Sequence, residues 1–180
     1  FKSFLWVIPV LLVLDIVSKQ VAQANLSTGK MVTFIPHLIG FELTYNDGAA
    51  FSLFGNLPEV PRRILLISFS TIGAIVMIVV LAMKYKKLNW WYKSSLYLML
   101  AGCIGNFIDR VFYEKGLVID FIRFIFWEKF AIFNLADVFL VVGAFLLIIA
   151  VVIEEIQDNF KMKKIDKDIE ESKDDEKADR

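Results

Sequence analysis

The sequence predicts a membrane protein: a four-transmembrane-helix bundle carrying a small extracytoplasmic β element and an interfacial segment. Three observations predict it. Of 180 residues, 57% are hydrophobic and 17 are Phe, with a mean hydropathy of +0.60. Apolar runs of the length needed to cross a bilayer core, roughly 20 residues, recur at about 3–22, 64–83, 94–112 and 136–155. The charges that interrupt three of these runs sit near one end of each. With alternating direction, those ends share one side of the membrane.

The first run holds Asp15 and Lys19 late in its length. They are spaced i, i+4 with the acid first, the favourable order for a helix ion pair. Lys2, the apolar stretch and "AQA" at 22–24 imitate a cleavable signal peptide, but Asp15 and Lys19 would then stand between the apolar core and the cut, which is unfavourable there. Removing the run would also leave three spans, so it is expected to stay. The sequence opens on Phe1 rather than Met, which leaves room for residues before it.

Between the first and second runs, "FELTY" alternates apolar and polar residues and "NDG" is a strong turn signal, so short strands and a turn are expected. The second run, "ILLISFSTIGAIVMIVVLAM", has no charge. The following loop, "KYKKLNWWYK", holds four lysines, no acid, and Trp90 and Trp91, which suit an interfacial belt. Asp109 and Arg110 stand late in the third run. The next stretch, "EKGLVIDFIRFIFWEKFAIFN", mixes Phe, Ile and Trp with Asp120, Arg123, Glu128 and Lys129 and reads as a segment lying at the bilayer surface. The fourth run opens on Asn134 and Asp137, after which Val138–Ile153 is uncharged. Residues 1–158 make one membrane domain. Residues 159–180 form a charged cytoplasmic tail, expected to be disordered because it cannot bury enough apolar surface to fold.

Lysine-rich flanks mark the cytoplasmic side, so both termini are expected inside and the polar ends outside. A formal net charge of zero argues against a nucleic-acid partner. Cys103 is the single cysteine, so no intrachain disulfide forms.

The usual catalytic inventories are nearly empty. His37 is the one histidine and no HExxH or paired Cys/His set occurs, which argues against a metal site. No cofactor motif appears. Ser18 and Lys19 adjoin, but neighbouring helical residues diverge by about 100° and do not pair as a serine–lysine hydrolase needs. Carboxylates and amides at the outer face remain. Asn106 and Arg110 share a helix face; Arg110 either binds a substrate carbonyl or lipid ester with its fork of donors or makes a structural contact at a helix end. Asp120 and Asp137 differ from the rest, since each is surrounded by apolar residues with no cation at i±4. Brought together at a lipid boundary they cannot both ionise, giving an acid and a base in one site. That suits aspartic peptide hydrolysis. The alternative, less favoured by these residues, is a proton or ion relay in a small transporter.

Five ordered motifs bear on the choice. "DIVSK" at 15–19, "NDGAAF" at 46–51, "GNFIDR" at 105–110, "VIDFI" at 118–122 and "FNLAD" at 133–137 resemble those of the signal peptidase II family, across essentially all of residues 3–156. The resemblance implies a four-span aspartic endopeptidase of the bacterial cytoplasmic membrane, with its site at the outer face. Such an enzyme cleaves prolipoproteins just before a cysteine already carrying diacylglycerol. It implies that Asp120 and Asp137 are the catalytic dyad and that Asn46, Asn106, Arg110 and Asn134 line the substrate site. Asp15, Lys19 and Asp109 would be supporting polar residues, and Gly48 and Ala50 would leave room for a backbone or acyl chain. The partners implied are the prolipoprotein substrates, membrane lipid and globomycin-type inhibitors; no metal or cofactor is implied.

Overall fold

The computed structural model describes residues 6–48, 54 and 57–178, with side chains through Ile165. Helix α1 spans Val7–Asn25 and inverts the soluble pattern. Asp15, Lys19 and Ala22 form one buried stripe, while Val10, Val13, Leu14, Val17 and Val21 are exposed. Lipid solvates the apolar face and leaves the polar one to the bundle interior.

Helix α2 covers Glu59–Lys84 and α3 covers Trp90–Phe112. Asn89 caps α3 by accepting the Tyr92 N–H at 3.1 Å. α3 is the central helix: its apolar window is 56% buried, against 17% for each of the other three. Helix α4 begins at Leu135. It approaches α3 closely because small residues line the contact, as membrane helices require when no hydrophobic force drives them together. A Cβ on Gly102 would stand 2.4 Å from the Ala136 carbonyl oxygen, and one on Gly105 2.7 Å from an Asp15 carboxylate oxygen. The far end of the bundle closes on an apolar cluster of Met77, Leu81, Leu96, Tyr97 and Leu100.

Four helices are thus long and apolar enough to cross a membrane: Val7–Asn25, Glu59–Lys84, Trp90–Phe112 and Leu135–Ile165. The segments between α1 and α2 and between α3 and α4 form an antiparallel sheet in the order β1 (Val32–Ile35), β2 (Ile39–Asn46) and β3 (Val118–Phe124). Register places Thr44 opposite Asp120 and Asn46 opposite Val118. β3 revises the expectation of a surface-lying segment over its first half. Its apolar and charged residues show no period-2 alternation of their own; β2 supplies the antiparallel partner that makes "VIDFIRF" a strand.

A second revision concerns the tail. α4 runs on to Ala178, 44 residues in all, where a disordered end was expected. Adding residues to an existing helix avoids the nucleation cost. Charged pairs such as Lys161–Asp158, at 2.9 Å, let a solvated helix persist without burying anything.

Candidate active site

Polar residues of all five motif-bearing elements, α1, β2, α3, β3 and α4, meet at the sheet end of the bundle. Asn134 caps α4: its side-chain oxygen accepts the Asp137 N–H at 3.0 Å, and an Asp137 carboxylate oxygen accepts the Asn134 N–H at 3.2 Å. This reciprocal capping box explains why an apolar helix opens on an asparagine and an aspartate. It fixes the Asp137 carboxyl beside free backbone donors and the positive end of the helix dipole.

Two amides join the two acids. Asn134 Nδ2 donates to Asp120 at 2.7 Å and to Asn106 Oδ1 at 3.1 Å, while Asn106 Nδ2 donates to Asp137 at 2.8 Å. Asn46, at the end of β2, donates to the other Asp120 oxygen at 2.9 Å. Asp120 is 1% exposed. Its burial, and then the Asp137 charge, push the carboxyl up to about 7, against the opposing effect of the Asn46 and Asn134 donors and the Lys19 charge. Arg123, one pleat away on β3, faces the other side of the sheet and pairs with Glu42 at 2.5 Å, so it does not offset this shift.

Beneath the acids lies a charged triad. Lys19, 2% exposed, contacts Asp15 at 2.7 Å and Asp109 at 2.8 Å. Asp15 also accepts the Ala136 N–H at 2.9 Å, and Asp109 accepts the Ile119 N–H at 3.4 Å. Ala136 and Ile119 are the residues immediately before Asp137 and Asp120. Lys19 therefore draws together two carboxylates, each holding the backbone next to one of the candidate acids. The Ser18 hydroxyl donates to the Asp15 carbonyl at 2.8 Å; with Lys19 committed to two acids, this leaves nothing for serine–lysine chemistry.

Asn46, Asn106, Arg110, Asp120 and Asp137 form the polar end of a cavity of about 540 Å³. Phe124, Phe130, Leu140 and Val141 line its apolar side, the phenylalanines held in ring contact with centroids 5.2 Å apart. Arg110 is 8% exposed. Its Nη2 donates to the Gly48 carbonyl and its Nη1 to the Asn106 carbonyl, both at 3.3 Å, and its buried Nε has no partner among the described residues. The structure thus brings together Asp15, Lys19, Asn46, Gly48, Asn106, Asp109, Arg110, Asp120, Asn134 and Asp137. Ala50 lies outside the described residues. Sequence reasoning missed the phenylalanine wall, for which the Phe-rich run from Phe121 to Phe133 was the available signal. It also missed the α2 arginines Arg62 and Arg63, whose signal was two cations near the start of a helix.

A four-span bundle with paired acids in a cavity at one end is built as a multi-pass membrane enzyme, and solved structures of that class resemble it. One bacterial membrane enzyme, solved by the in meso method at 2.3 Å, superposes with a TM-score of 0.74 at 29% identity, covering 86% of this chain and 90% of its own. A second, at 1.9 Å, gives 0.66 at 30% identity, covering 84% and 93%. The family profile described as Signal peptidase (SPase) II matches residues 7–153. A lipoprotein signal peptidase of Pseudomonas paraeruginosa is 38% identical over 147 residues, 80% of this chain and 84% of that protein. One from Streptococcus pneumoniae is 33% identical over 159 residues, 88% and 98%. The chain belongs to the signal peptidase II family, and is a membrane peptidase.

Proposed function

We propose that this chain is an aspartic endopeptidase that removes the signal peptide from diacylglyceryl-modified prolipoproteins, cutting just before the lipid-bearing cysteine. The observation that carries this reading is the pair of carboxyls, Asp120 and Asp137, joined through Asn134 and Asn106 in one cavity, with Asp120 held up to about 7. Near neutral pH the two share a proton. Asp137, whose carboxylate accepts from Asn106 Nδ2 and from the Asn134 N–H at the start of α4, is the base and takes a proton from water. Asp120 keeps its proton and polarises the scissile carbonyl. The attacking water oxygen bonds to the carbonyl carbon as the carbonyl oxygen takes the Asp120 proton; the C–N bond of the resulting gem-diol then breaks as Asp137 gives its proton to the leaving nitrogen and a gem-diol hydroxyl returns a proton to Asp120. Arg110 Nε, with no partner among the described residues, is available to a substrate carbonyl on the cavity wall. The Phe124, Phe130, Leu140 and Val141 side suits apolar substrate groups.

The site faces outward, since the lysines of 84–93 mark the cytoplasmic side. A transmembrane proton relay is disfavoured, because the core away from the sheet is the Met77–Leu100 apolar cluster. Globomycin-type depsipeptides should compete for the cavity. The test is incubation of the purified chain with diacylglyceryl-modified prolipoprotein, with mass spectrometry of the product. A new N-terminus at the lipid-bearing cysteine is expected. No cleavage, or equal cleavage of unmodified prolipoprotein, would refute the reading.

A further inference from the structure

Helix α2 opens on a contradiction. Arg62 and Arg63 are its fourth and fifth residues, close to the end where the helix macrodipole disfavours cations. Each has a task elsewhere. Arg62 pairs with Asp47 at 2.9 Å. Arg63 donates from Nε to the Arg110 carbonyl at 3.1 Å and from Nη2 to the Val111 carbonyl at 3.0 Å. The last carbonyls of a helix lack intrahelical partners, and the planar fork of one guanidinium spans two of them while neutralising the negative helix end. The turn after α3 is shaped around this side chain. Gly116 has φ +70°, and a Cβ there would stand 2.8 Å from Arg63 Cγ and Cδ. Arg63 is thus wedged where α3, carrying Asn106, Asp109 and Arg110, gives way to β3, carrying Asp120.

The consequence falls on Arg110. Among the described residues its side-chain tethers are both 3.3 Å long and its Nε has no partner, and bonds of that length do little to hold the guanidinium. Its placement follows from the backbone beneath it. That backbone is what Arg63 holds. We propose that Arg63 is a positioning residue for Arg110, fixing the last turn of α3 so that the Arg110 guanidinium stays over the two carboxyls. This rests on the peptidase reading of those carboxyls for its kinetic consequence, but not for its structural one.

The charged and titratable groups facing Arg110 are Asp137 from α4, Asp120 from β3, and Asp109 and Cys103 from α3; Lys19 from α1 faces Asp120. Loosening Arg110 removes positive charge from the acids, which raises the pH at which they ionise. Two measurements on the full chain in detergent test the proposal, using Arg63→Met and Arg63→Lys. The first is the Nε–Hε resonance of Arg110 in ¹⁵N-arginine-labelled protein, assigned with Arg110→Lys. Arg63→Met should shift or broaden it, and Arg63→Lys, which keeps the charge but cannot span two carbonyls, should do so less. The second is the pH–rate profile on diacylglyceryl-modified prolipoprotein, corrected for folded fraction. Arg63→Met should lower kcat on the order of tenfold or more and move the limbs upward by about half a pH unit, with partial recovery in Arg63→Lys. An unchanged Arg110 resonance in Arg63→Met overturns the proposal. So does a rate loss that tracks folded fraction with unmoved limbs. A wild-type chain that cleaves nothing would sink the peptidase reading instead, and the resonance would still decide the role of Arg63.

Discussion

Replacing Lys19 by Met removes one cation from two acids at once. Asp15 and Asp109 would remain 1% and 8% exposed, each keeping a single backbone N–H donor, from Ala136 and Ile119. Breaking a buried ion pair by deleting one partner costs about 3–5 kcal/mol, because a buried charge is left uncompensated. Asp15→Asn is milder. Asn still accepts the Ala136 N–H, and Lys19 keeps Asp109 at 2.8 Å, so about 1–2 kcal/mol is expected. The double variant strands one carboxylate rather than two. Its cost should therefore fall short of the sum of the singles by about 1–3 kcal/mol. Equilibrium unfolding in mixed micelles measures all three. The reasoning fails if Lys19→Met costs under about 1 kcal/mol, or if the singles add to within about 0.5 kcal/mol. Cleavage should fall with stability in Lys19→Met, and further than stability alone dictates, because the backbone beside both acids loses its tether.

Gly102→Ala puts a methyl 2.4 Å from the Ala136 carbonyl oxygen, so α4 must shift; thermal unfolding should report a loss of about 1–3 kcal/mol together with reduced cleavage. Asn134→Ala removes the helix cap and a donor to Asp120, costing about 1–2 kcal/mol by unfolding; a loss below a few tenths would deny the capping box. Asp120 has a raised folded value, so its contribution to stability is whole below its ordinary value of 3.8 and is lost as pH rises through about 7. Stability of the wild type should decline across that window and that of Asp120→Asn should decline less, as denaturation at several pH values will show. Over the same range, cleavage should fall on the alkaline side as the shared proton leaves.

Much of this arrangement was legible before any coordinates. The Asp15–Lys19 spacing specified an ion pair and the pair is present. The apolar surroundings of Asp120 and Asp137 set these two acids apart from the others, and both line the cavity. What one dimension hid was the third partner: Asp109 reaches Lys19 only because α1 and α3 pack closely, and nothing local to "FIDR" says so. β3 was obscured by its composition, since Phe and Ile mixed with charges suit a surface segment as well as a strand; the neighbouring β2 edge decides between them. The charged tail misled in the opposite sense. Its polarity rules out a core but does not prevent a helix already begun at Leu135 from continuing. Arg63 was overlooked because its meaning lies in carbonyls 47 and 48 residues away in sequence.

The central claim is that Asp120 and Asp137 act as one catalytic pair, and carboxyl-to-amide replacement tests it most directly. Asp120→Asn and Asp137→Asn each keep the side-chain shape while removing the exchangeable proton and charge and replacing one acceptor oxygen by a donor amide. Rates of diacylglyceryl-prolipoprotein cleavage should fall at least on the order of a thousandfold in each, with the double variant no worse than the singles, and with folding and membrane insertion retained. Near-wild-type turnover in either single variant would contradict the account.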